Sequence, residues 1–507
     1  MRKNQVRPDG GNSWGGGTRR SGIAGVPPML FLAAGLLLSC RPEIPTDYQA
    51  YREASPDRAL LILNGEGETI SALDTGTGKI YNNLQTVGHA AGSEAVPSDL
   101  LTSSGDIWVL NSGQNSLERY DGTTLDFQDS LYLKNGMNPL SLVPLEGTDL
   151  AFVTGYRSDD AVLVNLAEMQ KISPFVSVFR EVGGLTNPEE QTSPLADNAT
   201  GDNQNRNPSG GAVFSGAGGT AWLYVSNVRY DSTILLADGN GVPVTDGDGD
   251  QVRAGGYFRE GTLSVFSFDQ ADAEAATSFL PVAVTLEREI NLETLYRTGA
   301  GIADAYFPGD GLNPQSLWLD RAGERLHVIC TGTNGGTART FTAEQYIPAG
   351  YSVGDTVPGT DPDDGLVLIL DISDPGNPVY LTTLFPGGSP AAFRNGADTA
   401  RKVVYLAGVG GLQSYGYGQA AGDFTVYHDS GSGAGGLILA GSDPASDFFS
   451  GLLYDPLTDS VCLSFFSRSR LYRIPCSGAD GASLTYGVPA VSVTGDGPGA
   501  LALWPAD

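Results

Sequence analysis

The sequence predicts an all-β protein, folded as a seven-bladed β-propeller closed by pairing N- and C-terminal strands in one blade. Three observations carry that expectation. Of 507 residues, 69 are Gly and 30 are Pro, and these two poorest helix formers cost about 1 and about 3 kcal/mol per interior helix site relative to Ala. A unit of about 42 residues, the spacing from Pro97 to Pro139, repeats along the chain and fits a four-stranded blade of roughly 40–50 residues. Finally, the first unit lacks an opening strand and the last carries one too many. Hydrophobic residues make up 40 % of the chain, enough for one large core.

From the N-terminus, Arg2, Lys3, Arg7, Arg19 and Arg20 precede an apolar run from Gly22 to Leu38. A run shorter than the roughly 20 residues of a membrane span, behind a basic segment, reads as a signal peptide. It ends in Leu37-Leu38-Ser39-Cys40, which resembles the bacterial lipoprotein box, where a small residue precedes the lipid-modified Cys. The resemblance implies residues 1–39 as a cleaved signal and Cys40 as the lipidation site; an ordinary signal peptide with an incidental Cys is the alternative. Residues 40–56 read as a polar tether and 57–507 as the propeller. Arg41 does not resemble an Asp-type inner-membrane retention signal. The expected location is therefore the cell envelope, lipid-anchored at the outer membrane.

The repeat has one strong beat. A Pro-centred turn followed by small and apolar residues recurs at Pro97, Pro139, Pro208, Pro314, Pro390 and Pro498, with Asp447 to Gly451 filling the remaining slot without Pro. Each is followed by an apolar run, such as Ile107 to Asn111, Leu150 to Thr154, Trp222 to Ser226 or Val461 to Ser464. A third strand then often closes on Asp, as at Asp121, Asp269 and Asp371. The first unit begins at Leu60 to Asn64 with no opening strand, and Ala500 to Trp504 is left over at the end. Joining the two completes one blade and removes the open sheet edges that template aggregation.

On these residues, 57–507 resembles the YncE/YVTN-type seven-bladed propellers of bacterial surface and periplasmic proteins. The segment Leu366-Val367-Leu368-Ile369-Leu370-Asp371 with Pro375 to Val379 resembles the LVIVD repeat, another blade motif. Both resemblances imply a fold; function has to come from a site.

Four stretches interrupt the beat: 173–206, 228–260, 281–312 and 332–364. Two lie between an outer strand and the next inner strand, and two between second and third strands, so all four are expected on one face over blades three to five, joined by the Tyr-rich loop 408–422. Long loops on a rigid scaffold are where binding resides, although loops that only decorate the ring are the plainer reading. Leu286 to Tyr296 reads as a short helix covering the ring. Tyr351, Tyr415, Tyr417 and Trp318 are candidate platforms for sugars or peptides, with core packing as the alternative.

Asp246, Asp248 and Asp250, after Asp238 and Asn240, alternate in a Gly-rich loop and offer the hard oxygen ligands that calcium takes. The loop is not an EF-hand, because Gln251 and Tyr257 stand where Gly and Glu are needed; a solvated acidic loop is the alternative. Asp361, Asp363 and Asp364 become ligands only if the fold gathers them. The three His residues, His89, His327 and His428, are too few for a multi-His metal site, and HExxH and CxxC are absent from the sequence. Cys462 and Cys476 flank a hairpin centred near Ser469, which makes them a disulfide candidate in an oxidising compartment, while Cys330 reads as a buried small hydrophobe.

The formal net charge is −29, from 29 basic and 58 acidic residues. This disfavours nucleic acid, whose binding rests on neutralised phosphates, and docking of the folded domain on an anionic membrane. The reading is a non-catalytic binding or interaction module, anchored by lipid, holding a protein, peptide or glycan through its loop-rich face. The alternative is a lactonase-like propeller hydrolase using a metal in the central channel.

Overall fold

The computed structural model describes residues 46–505 except 90–93, 180–205, 217, 229, 232–233, 236–252, 255–256, 259–260, 302–311, 333–338, 341–355, 358–364, 386–389, 392–395, 409–410, 418–423 and 429–448. Seven antiparallel sheets follow one another, each running from an inner strand through a second and third to an outer one. Six inner strands open on Pro: Pro498–Trp504 in blade 1, Pro97–Ser103, Pro139–Leu145, Pro208–Ser215, Pro314–Asp320 and Pro390–Ala391 in blades 2 to 6; Phe449–Asp455 serves blade 7. Each blade packs on the next, and blade 7 returns to blade 1. The expected seven-bladed ring is the fold.

Closure falls where the mismatched strands predict it. Ala59–Asn64, the second strand of blade 1, pairs with the C-terminal inner strand, Leu61 opposite Ala502 and Leu60 opposite Leu503. This second strand is buried at every position, because a blade is covered on both faces by its neighbours and needs no polar side. Ala59, Leu61 and Leu63 join Ile107, Val109 and Tyr120 of blade 2. Leu60 and Ile62 point the other way, to Leu453 and Leu471 of blade 7. Uninterrupted apolar runs are thus what a two-sided core requires.

The Asp residues that close third strands build the turns after them. Asp121 Oδ1 accepts the N–H groups of Thr123 and Thr124, Asp74 Oδ1 those of Gly76 and Thr77, and Asp371 Oδ1 that of Ser373. The Thr124 N–H is the leading cause that holds the Asp121 carboxyl below its ordinary value.

Among the described residues three α-helices accompany the strands: α1 (Tyr48–Ala54), α2 (Gln270–Ala275) and α3 (Leu292–Ala300). Helix α1 falls within the expected tether and corrects its extent. Tyr51, only 5 % exposed, packs edge-on against Tyr81 of the outer strand of blade 1 with ring centroids 5.5 Å apart, so the compact unit begins at Thr46. The helix expected over Leu286 to Tyr296 is split. Thr285–Asn291 is the outer strand of blade 4, and Asn291 then caps α3 by accepting the Thr294 N–H at 2.8 Å.

Strand order gives the ring two faces. Turns from second to third strand and crossings between blades emerge on one, here the crossover face. Turns from inner to second and from third to outer strand emerge on the other, the tail face, where the two chain ends also leave. The interruptions 228–260 and 332–364 fall in crossover-face connections, as expected; 173–206 and 281–312 contribute only their later parts, because Val176–Ser177 and Thr285–Asn291 pair as outer strands.

At the tail face Trp504 lies flat over Gly122, where an added Cβ would stand 2.0 Å from the indole. Gly122→Ala should therefore overpack the closure seam and lower stability by about 1–3 kcal/mol, read by urea denaturation. Adding Trp504→Ala should make the double variant markedly less destabilised than the sum of the singles.

Candidate functional site

The inner strands converge on the ring axis around a cavity of about 380 Å³, lined among others by Asp99, Leu140, Ser209, Gln315, Ser450 and Leu501. Its wall is shaped by a repeated β-bulge. Directly after the opening residue, one inner-strand residue is left without a partner: Ser98, Leu140, Ser209, Gln315 and Ser450 in blades 2, 3, 4, 5 and 7. A bulge turns the strand and frees a backbone group. Where the bulged residue is Ser, its hydroxyl bridges to the next blade. Ser98 Oγ donates to the Pro139 carbonyl at 2.9 Å, Ser209 Oγ to that of Pro314 at 2.7 Å, and Ser450 Oγ to that of Pro498. The channel hydroxyls are thus largely engaged in holding blades together.

Asp99 is the one carboxylate among the described residues lining the channel. It is 7 % exposed, and it accepts the N–H of Leu100 at 2.9 Å and of Leu142, in blade 3, at 2.7 Å. Among the described residues no group of three His, Cys, Asp or Glu side chains stands close enough to hold a metal ion. The channel as described offers one committed carboxylate and no donor set.

The crossover face carries a second recurrent device: a side-chain acceptor that grips the crossing as it arrives at blades 2, 3, 4 and 5. Glu118, fully buried in the third strand of blade 2, accepts the N–H groups of Gly88 and His89 at 2.9 and 2.7 Å and the Tyr120 hydroxyl at 2.6 Å. Asn115 accepts the Asn138 N–H at 2.7 Å. Asp159 accepts the N–H groups of Arg206 and Asn207, both at 2.9 Å. Glu293 of α3 accepts those of Gly261 at 2.9 Å and Leu312 at 2.6 Å. The feet of the longest connections are therefore fixed to the scaffold by buried acceptors.

Asp159 is the most perturbed of these. Burial pushes its carboxyl up to about 7, against the lowering effect of the Asn207 and Arg206 N–H groups and the Arg206 charge. Asp160 beside it raises it further, and is itself paired with Lys134. Arg206 is held by Glu289 at 2.8 Å.

The sequence-predicted residues fare unequally. Cys40, Asp238, Asn240, Asp246, Asp248, Asp250, Tyr351, Asp361, Asp363 and Asp364 lie outside the described residues. Tyr415 and Tyr417 do not form a binding face. They are 0 % and 7 % exposed, because Gly411–Gly416 is the third strand of blade 6 and not a loop. Tyr415 donates to or accepts from His327 Nδ1 at 2.8 Å, and Tyr417 packs edge-on against Trp318. His327 is a core residue: burial first, then the Arg325 charge, lowers its pKa to about 3 and keeps it neutral. His89 stacks near Phe127, ring centroids 4.3 Å apart, and His428 ends the outer strand of blade 6.

The expected Cys462–Cys476 disulfide is not formed. The hairpin is where it was expected, but the register sets Cys462 opposite Arg473 and side chains alternate, so the two thiols face opposite sides of the sheet. Cys462 packs with Leu60 and Ile62 of blade 1, Cys476 with Tyr405 of blade 6. Cys330, Cys462 and Cys476 are all buried free thiols.

The bulge serines and the crossing anchors escaped the sequence reading. A hydroxyl one residue after Pro97 and Pro208 was a visible signal. Asp159 offered only an acidic pair before a strand, which on its own is turn chemistry.

No family model matches the chain, and no curated protein does. Among solved structures, the Pseudomonas aeruginosa periplasmic gluconolactonase PpgL is similar at 13 % identity over 88 % of this chain and 98 % of that one, with a TM-score of 0.49. Apo AztD from Citrobacter koseri is similar at 11 % identity over 88 % and 97 %, with a TM-score of 0.40. Kuenenia stuttgartiensis hydrazine synthase is similar at 14 % over 82 % and 91 %, also at 0.40. Similarity at this level bears on fold alone, and the seven-bladed ring rests on the chain's own strand order.

Two outcomes follow. A carboxyl raised in the fold favours the protonated form, so its stabilising effect is full below about pH 4 and is lost as pH rises through about 7. Asp159→Asn keeps the Oδ1 acceptor, and Asn suits the positive φ there. It should raise stability at pH 8 by up to about 4 kcal/mol and flatten the stability–pH slope between pH 4 and 7 in denaturation series. Alkylation of unfolded protein from oxidising medium should leave separate adducts on Cys330, Cys462 and Cys476 by mass spectrometry.

Proposed function

We propose that this propeller is an exported, lipid-anchored binding module of the YncE/YVTN type, which holds a protein, peptide or glycan on its crossover face. One observation supports the reading above others: the long connections of blades 3 to 5 belong to that face, and the chain returning from three of them, at Arg206, Gly261 and Leu312, is gripped by the buried groups Asp159 and Glu293. Such rigid feet let the intervening residues vary without cost to the ring. Asp246, Asp248 and Asp250 fall in sequence within the blade 4 connection, and calcium bound by them would stiffen that connection. A channel hydrolase would need acids besides Asp99, which is already committed to two backbone N–H groups.

The connection in blade 4 offers a clean test. Tyr230–Asp231 pairs with Tyr257–Phe258, so residues 232–256 can be replaced by a short Gly-Ser turn above an intact ladder. The variant should melt within a few degrees of the parent and lose the partner captured from envelope extracts. Retained capture would refute the reading. Calcium titration of the parent, followed by melting temperature, checks the acidic loop separately, a rise of several degrees being expected.

A further inference from the structure

The tail face carries a projection that the ring does not need. After α2, whose Ala273 is 1 % exposed, the chain runs through Ala276 at 9 % and returns at Val282, 5 % exposed, whose N–H donates to the Ile172 carbonyl at 2.8 Å. Between these two anchored points Thr277 and Leu280 exchange both backbone hydrogen bonds at 3.1 Å. The turn so formed holds Phe279 outward at 96 % exposure and Leu280 at 73 %. Leu457, at the inner-to-second turn of blade 7, is 72 % exposed on the same face. Soluble surfaces tolerate single apolar residues. A Phe-Leu pair at the tip of a turn pinned on both sides is a presented feature.

The first described residues leave from the same face. The Asp47 N–H donates to the Asn82 carbonyl of blade 1, and the Tyr48 hydroxyl to the Thr124 carbonyl in the tail-face turn of blade 2. Cys40 is six residues before Thr46, a span of at most about 20 Å of extended chain. A lipid on Cys40 would hold blades 1 and 2 against a bilayer with the tail face turned towards it. Blade 4 is three blades away, on the far side of the ring, where a second contact would fix the tilt that one tether leaves free.

We propose that Phe279 and Leu280 are a membrane contact: they enter the interface of a zwitterionic bilayer and, with the Cys40 lipid, lay the ring flat with its crossover face outward. The inference rests on the lipid-anchored reading. It goes further in giving the folded domain its own lipid contact. The exposed acids Asp272 and Glu274 stand in α2, a few residues before the tip, so neutral headgroups are the fitting surface and anionic ones are repelled.

The test uses the chain from Cys40 onward, which keeps the whole propeller, coupled through the Cys40 thiol to a maleimide lipid in phosphatidylcholine vesicles. Cys330, Cys462 and Cys476 are buried and do not compete. Phe279→Trp is compared with Val96→Trp, a residue 51 % exposed on the crossover face, for quenching by acyl-chain bromines, with the parent's own indoles subtracted. Both replaced side chains are exposed, and circular dichroism checks their folds. At least threefold stronger quenching at position 279 than at 96, weakened by added phosphatidylglycerol, is the expected result. Equal quenching at both positions, or none at 279, overturns the proposal, as does self-association of the coupled chain that removes the quenching. Because the lipid is attached chemically, this outcome is independent of whether cells acylate Cys40. That is read separately, by fatty-acid labelling of the full chain and of Cys40→Ser.

Discussion

Everything in this molecule depends on one ladder of backbone hydrogen bonds, the pairing of Ala59–Asn64 with the C-terminal strand. A blade has no core of its own, since its apolar residues are divided between the layer it shares with the blade before and the layer it shares with the blade after. Leu61 and Leu60, adjacent in sequence, serve two different layers. If the ring opens, two faces lose their cover at once, along with two strand edges. The dedication of both chain ends to one blade makes that failure cooperative instead of local.

The remaining architecture follows from bringing seven inner strands to one axis. Five of them bulge directly after the opening residue, and a bulge leaves backbone carbonyls that must be paired. Ser98, Ser209 and Ser450 pair them across blade boundaries, which converts a local irregularity into a joint. On the crossover face the same requirement is met by side-chain acceptors, which fix incoming backbone N–H groups with carboxylates or Asn. An acidic chain has such groups in abundance. The arrangement has a chemical consequence, for part of the negative charge is spent on backbone amides inside the protein and does not reach a ligand.

The fold was legible because its signals are backbone signals that any residue in the slot must obey. Pro at the head of inner strands, Asp at the end of third strands and uninterrupted apolar second strands each answer a geometric demand that recurs seven times. The site was legible only in outline. Tyr415 reads as part of a Tyr-rich loop over 408–422, yet Gly411–Gly416 is a strand, and the ring is buried against His327. Cys462 and Cys476 show the same limit in another form: the hairpin can be read from the sequence, but the side-chain parity depends on a register set by the partner strand. Asp159 is a turn residue by sequence, and only the return of the chain at Arg206, 47 residues on, makes it an anchor. Groups whose role is defined by distant backbone have no local signature.

The closing ladder also sets an order of events. Its two strands stand more than four hundred residues apart in the chain, and at roughly 5–20 residues per second of synthesis that separation is tens of seconds. Through that interval Ala59–Asn64 has no inner strand to pair with, and a strand apolar at five of its six positions is exposed with a free edge to whatever else is present. The last strand made is the one that completes the first blade. Ring closure in such a chain waits on its C-terminal strand, and the free edge of the early strand has to stay covered until that strand arrives.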